Sequence, residues 1–317
     1  MNRDPAETTH PIEPDRPAAR PQDAADDAAA RGADDPPSPA GDTAAPVAPS
    51  VGRPAPTPGP RDAPAWADGD LADPHAAPDK ASRVRSMFAA ICGSYDLNNR
   101  VHSMWRDQAW RRRTVALARV KTTDTVVDVA CGTGDLAMLF ARAGARRVIG
   151  LDFTHEMLQV AAAKRPMRTP ARRRAPHVAY ADADAGRLPL ADRSVDVVSI
   201  AFGLRNVADP AAAVAEFYRV LKPGGRLVIL EFSTPRFTPL RLAYNLYFHH
   251  VLPRTATWIS RDRSGAYRYL PRSVDTFIDR ARITRIMGQA GFANVSLIPM
   301  TLGIAVAYSG RRLASAR

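Results

Sequence analysis

The sequence predicts an α/β protein built on a doubly wound, mostly parallel sheet of seven strands that ends in an antiparallel hairpin. Three observations carry this expectation. Short β-branched runs alternate with amphipathic helical ones from residue 81 onward, a glycine-rich turn joins the first strand to the first helix after it, and two closing strands are separated only by Thr-Leu-Gly. The strands are expected at Thr125 to Ala130, Arg147 to Leu151, His177 to Ala181, Val195 to Phe202 and Arg226 to Phe232. Helical periodicity is expected over Asp135 to Ala143, His155 to Lys164 and Ala211 to Leu221. Val295 to Met300 and Ile304 to Tyr308 supply the hairpin, a common antiparallel edge on a parallel sheet. Residues 84–121 read as helices placed before the first strand, and residues 233–275, rich in Arg and aromatics, as an insertion over the strand ends.

Composition divides the 317 residues in two. Residues 1–80 hold 17 of the 28 prolines and carry 7 Lys and Arg against 15 Asp and Glu, a net charge of −8. Such an acidic, Pro/Ala-rich stretch buries too little apolar surface to offset its ordering entropy, so it reads as a disordered tail. Residues 81–317 carry 37 basic against 17 acidic residues, a net of +20, and read as one domain. Such a surplus usually marks only a solvated surface, and it suits an anionic membrane face or nucleic acid as well. The tail lacks the pattern of a secretory signal, no stretch of about 18 apolar residues occurs, and Cys92 and Cys131 give neither a disulfide framework nor a metal-ligand spacing. A cytoplasmic protein without a metal is expected.

The turn after the first strand reads Asp128-Val-Ala-Cys-Gly132-Thr133-Gly134-Asp135-Leu136-Ala137. Gly132 and Gly134 let the backbone approach a ligand closely, and the following helix directs free N–H groups at it. Asp152 closes the second strand about 20 residues after the loop, where a carboxylate accepts the ribose hydroxyls of an adenosine. A nicotinamide dinucleotide and S-adenosylmethionine both meet that description. Asp128 favours the second, because it suits the ammonium of a methionine moiety. Asp184-Ala185 after the third strand can meet the adenine amino group, and Leu221-Lys-Pro-Gly-Gly225 before the fifth reads as a helix-ending turn. Together these residues resemble a class I (Rossmann-like) methyltransferase that uses S-adenosylmethionine.

Further markers resemble one family, the UbiE/MenG quinone-biosynthesis C-methyltransferases. They are Met87-Phe88, Tyr95-Asp96-x-x-Asn99, Ser103 and Trp110-Arg111, then Phe202-Gly-Leu-Arg-Asn206, and later Tyr267-Arg-Tyr-Leu270 with Ser273. The resemblance implies methylation of a ring carbon of a polyprenylated quinol, demethylmenaquinol foremost, with the corresponding benzoquinol of ubiquinone biosynthesis as the alternative. It aligns Thr133, Asp152, Asp184 and Ala185 with the family's cofactor contacts; relatives often have Asn at Asp184, and some have Ser at Ala201. Arg205 and Asn206 fall just beyond the fourth strand, where an open α/β sheet binds ligands, and are expected to stabilise a quinolate oxygen and orient the ring. The alternative for Arg205 is a pairing with an acid such as Asp209. Tyr95 is expected in a lid over the pocket, while His249 and His250, among Tyr244, Tyr247 and Phe248, read as packing rather than as a base. The isoprenoid tail of such a substrate implies peripheral docking on the inner face of the cell membrane through Arg236 to Arg272; Arg172-Arg173-Arg174 reads first as a solvated loop and second as a further contribution. Nucleic acid is not an expected partner, and a homodimer is compatible with the sequence.

Overall fold

The computed structural model describes residues 65–66, 68–164 and 178–314. The β-branched runs form strands β1 (Thr125–Val129), β2 (Arg147–Asp152), β3 (Val178–Asp182), β4 (Val195–Ala201), β5 (Leu221–Phe232), β6 (Ala293–Met300) and β7 (Ala305–Arg311). They lie in the order β3-β2-β1-β4-β5-β7-β6. The first five pair in parallel, and β7 runs antiparallel between β5 and β6. β1 and β4 are buried along almost their whole length, as strands covered on both faces must be. The strand order reverses at β1 and β4, so the crevice beyond their carboxyl ends is the natural ligand position.

Helices α1 (Lys80–Ile91), α2 (Tyr95–His102) and α3 (Arg106–Ala118) precede the sheet as expected. Helices α4 (Asp135–Ala143), α5 (His155–Ala163) and α6 (Pro210–Val220) are crossovers. Asp209 caps α6 by accepting from the backbone N–H groups of Ala211 and Ala212, with Pro210 placed where no N–H is needed. Over the strand ends the insertion folds as α7 (Thr238–Leu246), a π-helical turn, α8 (Leu252–Ser260) and α9 (Ala266–Asp275). Helix α10 (Arg280–Gln289) leads to the hairpin.

Two expectations need correction. Leu221 to Gly225 does not sit outside the sheet: β5 starts at Leu221, bulges where Gly224 adopts φ +80°, and resumes pairing at Arg226. The boundary of the tail at residue 80 is also too late. Trp66 is fully buried and stacks on Tyr269 at a centroid distance of 4.6 Å, its backbone N–H donates to Ser264, and Leu71 is buried with it. One aromatic ring supplies apolar area that the Pro/Ala background dilutes in any compositional average. Residues 1–64 and Arg172-Arg173-Arg174 lie outside the described residues. Truncating Trp66 to Ala is expected to cost about 3–5 kcal/mol, read as a lower denaturant midpoint at unchanged m-value.

Candidate functional site

The loops that end β1 and β4 meet at the reversal point of the sheet. Ala130 and Phe202, each just past its strand, hold left-handed backbone at φ 49° and 59°. Non-glycine residues persist there only where the surroundings over-determine them. Gly203 makes the approach possible, since a Cβ at that position would stand 2.6 Å from that of Ala130.

Two adjoining cavities open here. The first, about 720 Å³, is lined by Gly132, Asp152, Asp184, Ala185, Ala201 and Asn206 among others. The second, about 600 Å³, is walled by Arg111, Arg205, Phe232, Tyr267 and Tyr269. Phe88, Tyr95 and Phe202 belong to both, so the partition between the cavities is aromatic. Seven of the eleven expected site residues therefore face the first cavity and Arg205 faces the second. Asp128, Thr133 and Gly134 line neither.

The first cavity has the donors and acceptors of an adenosine site. Asp152 ends β2 with Oδ2 accepting from the Gly132 N–H at 2.7 Å and Oδ1 from the Thr154 N–H at 2.9 Å. These bonds fix the carboxylate while leaving lone pairs for ribose hydroxyls. Burial raises its pKa despite them. Asp184 accepts from the Gly186 N–H at 2.8 Å and stays exposed at the cavity edge. Asp128 is buried beneath the loop; Oδ1 accepts from Ser199 Oγ at 2.7 Å and Oδ2 has no hydrogen-bond partner. Burial pushes its pKa up to about 7, against a lowering by the Ser199 hydrogen bond and the Arg111 charge.

Helix α2 is clasped to the β1 loop by a polar cluster. Thr133 Oγ1 donates to Asp96 Oδ1 at 2.6 Å, and Lys164 Nζ reaches both Asp96 and Asp135 at 2.6 Å. Tyr95, on the same helix, faces both cavities, with a phenol pKa raised by burial and opposed by the nearby charges of Arg111 and Arg205. At the start of α1 the buried Lys80 donates to the Val207 carbonyl at 2.7 Å. Burial, and then the Arg205 charge, lower the Lys80 pKa to about 8.

Arg205 pairs with an acid, but with Glu231 on β5 rather than Asp209. Its Nη1 donates to Glu231 Oε1 at 2.8 Å and to the Phe202 carbonyl at 2.6 Å, while its Nε is buried without a hydrogen-bond partner. Asn206 accepts from the Tyr269 hydroxyl at 2.9 Å and donates to the Phe202 carbonyl at 3.3 Å. Glu231, Phe88, Asp107 and Arg111 were not expected to have roles in the site. Glu231 had a signal, a lone acid inside the apolar run Leu227 to Phe232, because a carboxylate on a central strand needs a partner. His249 lies 3.0 Å from Asp275, and neither it nor His250 lines either cavity.

A stability test follows from Asp128. Its folded pKa lies above the unfolded value, so the native state binds the extra proton and this group costs stability as pH rises from about 4 to 7. Asp128→Asn is expected to gain up to roughly 4 kcal/mol over the parent above pH 7, with the gain vanishing towards pH 4. Urea unfolding across that range measures it; a gain independent of pH would contradict the assignment.

Comparison with known proteins agrees with this geometry. A SAM-dependent methyltransferase of Thermotoga maritima superposes with a TM-score of 0.50 at 19% identity, over 72% of this chain and 99% of that one, and shares the fold. A demethylmenaquinone methyltransferase of Thermus thermophilus is 45% identical over 227 residues, which are 71% of this chain and all of that protein. One of Deinococcus radiodurans is 42% identical over 73% of this chain and 93% of its own length. A ubiquinone/menaquinone biosynthesis C-methyltransferase of Geotalea daltonii is 39% identical over 74% and 98%. The model of the ubiE/COQ5 methyltransferase family matches residues 77–312. The chain belongs to that family of S-adenosylmethionine-dependent methyltransferases.

Proposed function

We propose that this enzyme C-methylates the ring of a polyprenylated quinol, demethylmenaquinol first among candidates. One observation carries the reading. An aromatic cavity with a buried guanidinium shares its wall with the cofactor cleft, so a flat, electron-rich ring in the second cavity abuts the first. The relatives at 45% and 42% identity, named as demethylmenaquinone methyltransferases, favour the naphthoquinol.

The cofactor, when bound, supplies an electrophilic sulfonium methyl group. Gly132, Asp152, Asp184 and Ala185 would hold its adenosine, with the Ala201 backbone at the far wall. Phe88, Phe202, Phe232 and Tyr269 would sandwich the ring and exclude water, which strengthens every charge interaction inside. Arg205, through the Nε that no protein group occupies, would hold the oxygen of the ionised quinol and so raise the nucleophilicity of the ring carbon. Asn206, fixed by Tyr269 and the Phe202 carbonyl, would set the ring's orientation, and Tyr95 would close the wall above it. The ring carbon would gain the methyl group as the methyl's bond to the sulfonium sulfur breaks, leaving a neutral thioether, and would then lose its proton to water, restoring aromaticity.

A membrane-borne substrate also accounts for the exposed apolar side chains. Trp258 on α8 is 82% exposed, Met104 77% and Trp105 60%; Leu242 and Leu246 on α7 are similarly bare. His102 ties α8 to α2 through Thr255 Oγ1 at 2.8 Å, and Tyr95 and Asn99 of α2 line the second cavity. With Arg254, Arg261 and Arg263 nearby in sequence, the surface suits docking on an anionic bilayer. No helix among the described residues is long and apolar enough to cross a membrane.

The decisive assay incubates the protein with S-adenosylmethionine and each demethylated quinol under reducing conditions and identifies the product by mass. A 14-dalton gain on the naphthoquinol ring is expected; no product from either quinol sinks the proposal. Arg205→Lys keeps the charge for Glu231 but loses the planar fork, and should lower kcat by about 10²-fold while leaving cofactor affinity intact. Normal turnover would remove Arg205 from the chemistry. Sedimentation with anionic vesicles at low salt, release at high salt, and weakening by Trp105→Ser with Trp258→Ser would support docking. Binding indifferent to all three would refute it.

A further inference from the structure

Residues 66–80 fasten onto the start, middle and end of α9, and then onto the turn that carries Arg205 and Asn206. The Trp66 N–H donates to the Ser264 carbonyl at 3.3 Å, just before the helix. Gly265 admits the Trp66 carbonyl oxygen, which a Cβ at that position would meet at 2.7 Å. In the middle of α9, Trp66 stacks on Tyr269 with ring centroids 4.6 Å apart and planes 25° apart. Towards its end, His75 Nε2 donates to the Ser273 carbonyl at 2.9 Å. Lys80 completes the run by donating to Val207, the residue after Asn206. Trp66 and His75 precede residues 77–312, which the family model matches, so their contacts lie outside the stretch that defines the family.

Trp66 is fully buried yet lines neither cavity, so its effect on the site must pass through a neighbour. Tyr269 is that neighbour: it lines the second cavity, and its hydroxyl donates to Asn206 Oδ1 at 2.9 Å. The bond from Asn206 to the Phe202 carbonyl is longer, at 3.3 Å, so the phenol sets the rotation of the amide. Groups of a working site must be held within about 0.5 Å by side chains whose own rotamers are locked by packing. A phenol hydroxyl sits at the far end of a rigid ring, where a small tilt becomes a large displacement. The indole face stops that tilt. Arg83 holds the indole in turn, with its guanidinium over the Trp66 ring at 5.6 Å and Nη1 donating to the Ala65 carbonyl at 3.4 Å. Trp66 Nε1 is buried without a hydrogen-bond partner among the described residues, so the ring serves through its face and not through its N–H.

We propose that Trp66 is a positioning residue of the active site: stacked on Tyr269, it fixes the hydroxyl that orients Asn206. A segment ahead of the family's common domain thereby governs the alignment of the ring to be methylated. The kinetic consequence rests on a quinol ring occupying the second cavity, whereas the relay from Trp66 to Asn206 stands without it.

Two readouts on the full-length protein separate the relay from the substrate. The first is the side-chain amide NMR signal of Asn206, assigned by its loss in Asn206→Asp. Tyr269→Phe should move that signal by removing the hydrogen bond. Trp66→Ala should move it in the same direction, and Trp66→Phe, which keeps a stacking face, should move it less. Leu71→Ala opens a cavity in the same buried cluster without removing a ring, and should leave the signal in place. Trp66→Leu, with bulk but no stacking face, replaces the alanine variant if that one does not fold. A signal unmoved by loss of the indole, or moved as far by Leu71→Ala, overturns the proposal. The second readout is methyl transfer to the demethylated quinol, at a temperature where unfolding curves show each variant native. Trp66→Ala should lower kcat by about three- to tenfold, more than it changes KM, as loss of one neutral hydrogen bond requires, and Trp66→Phe should recover most of it. In the Tyr269→Phe background the further loss should stay under about twofold. Full additivity of the two substitutions would mean that Trp66 does not act through Tyr269, and also overturns the proposal. If the parent methylates neither quinol, the substrate reading fails and the Asn206 signal alone decides the relay.

Discussion

The carboxylate of Glu231 organises the functional end of this sheet. It sits on a central strand with no exposure to solvent, where an ionised acid persists only if its oxygens are filled. They accept from Arg205 Nη1 at 2.8 Å, from the Arg205 backbone N–H at 3.3 Å and from the Phe232 N–H at 2.8 Å. The turn after β4 is thereby pinned to β5 by both its main chain and its side chain. Breaking such a buried pair from one side typically costs about 3–5 kcal/mol. The same pinning keeps Phe202 in its left-handed conformation, with its carbonyl accepting from Arg205 and Asn206. The bonds that fold the loop are those that aim the proposed catalytic groups.

This arrangement bears on the strength of the field in the second cavity. Because Glu231 partly neutralises Arg205, a ring oxygen meeting the Nε side encounters an oriented guanidinium rather than a bare cation. That suits a quinol, which must ionise on binding yet leave as a neutral product. Arg111 lacks a comparable partner, and its face-on contact with Phe202 offsets little of the burial cost. The two guanidiniums flank the tilted pair Phe202 and Phe232, whose centroids are 4.4 Å apart, with Arg205 over the second ring as Arg111 is over the first.

The sheet was legible from sequence because each strand is a β-branched run bounded by turn residues, and every expected strand recurs with ends displaced by a few residues. That Gly132, Asp152, Asp184 and Ala185 come together on one cavity was legible for a related reason: glycines and a carboxylate at set distances from strand ends have few other uses. Contacts that close late in the chain were not. Glu231 and Arg205 are 26 residues apart, and no local pattern selects Glu231 over Asp209, which caps a helix instead. Trp66 and Tyr269 meet across 203 residues, with a Pro/Ala background hiding the former. The left-handed turns at Ala130 and Phe202 are equally invisible, since neither residue type favours that conformation and only tertiary packing imposes it.

Helix α2 joins the two halves of the proposed mechanism. In just over two turns it places Tyr95 and Asn99 on the cavity side, with Asn98 buried, while Leu97 and Val101, two positions beyond each, remain 54% and 37% exposed. That spacing is what a 3.6-residue period gives for opposite faces. On the inner face, Asp96 is bound by Thr133 of the cofactor loop and by Lys164 at the end of α5. A lipid-tailed ring entering from a bilayer would therefore pass along an element whose outer side chains suit the membrane and whose inner ones touch both cavities. Displacing α2 to admit the ring would break the clasp to Thr133, and returning it would re-form that clasp over the cofactor loop. On the proposed mechanism, substrate entry and cofactor enclosure would thus be coupled through one short helix.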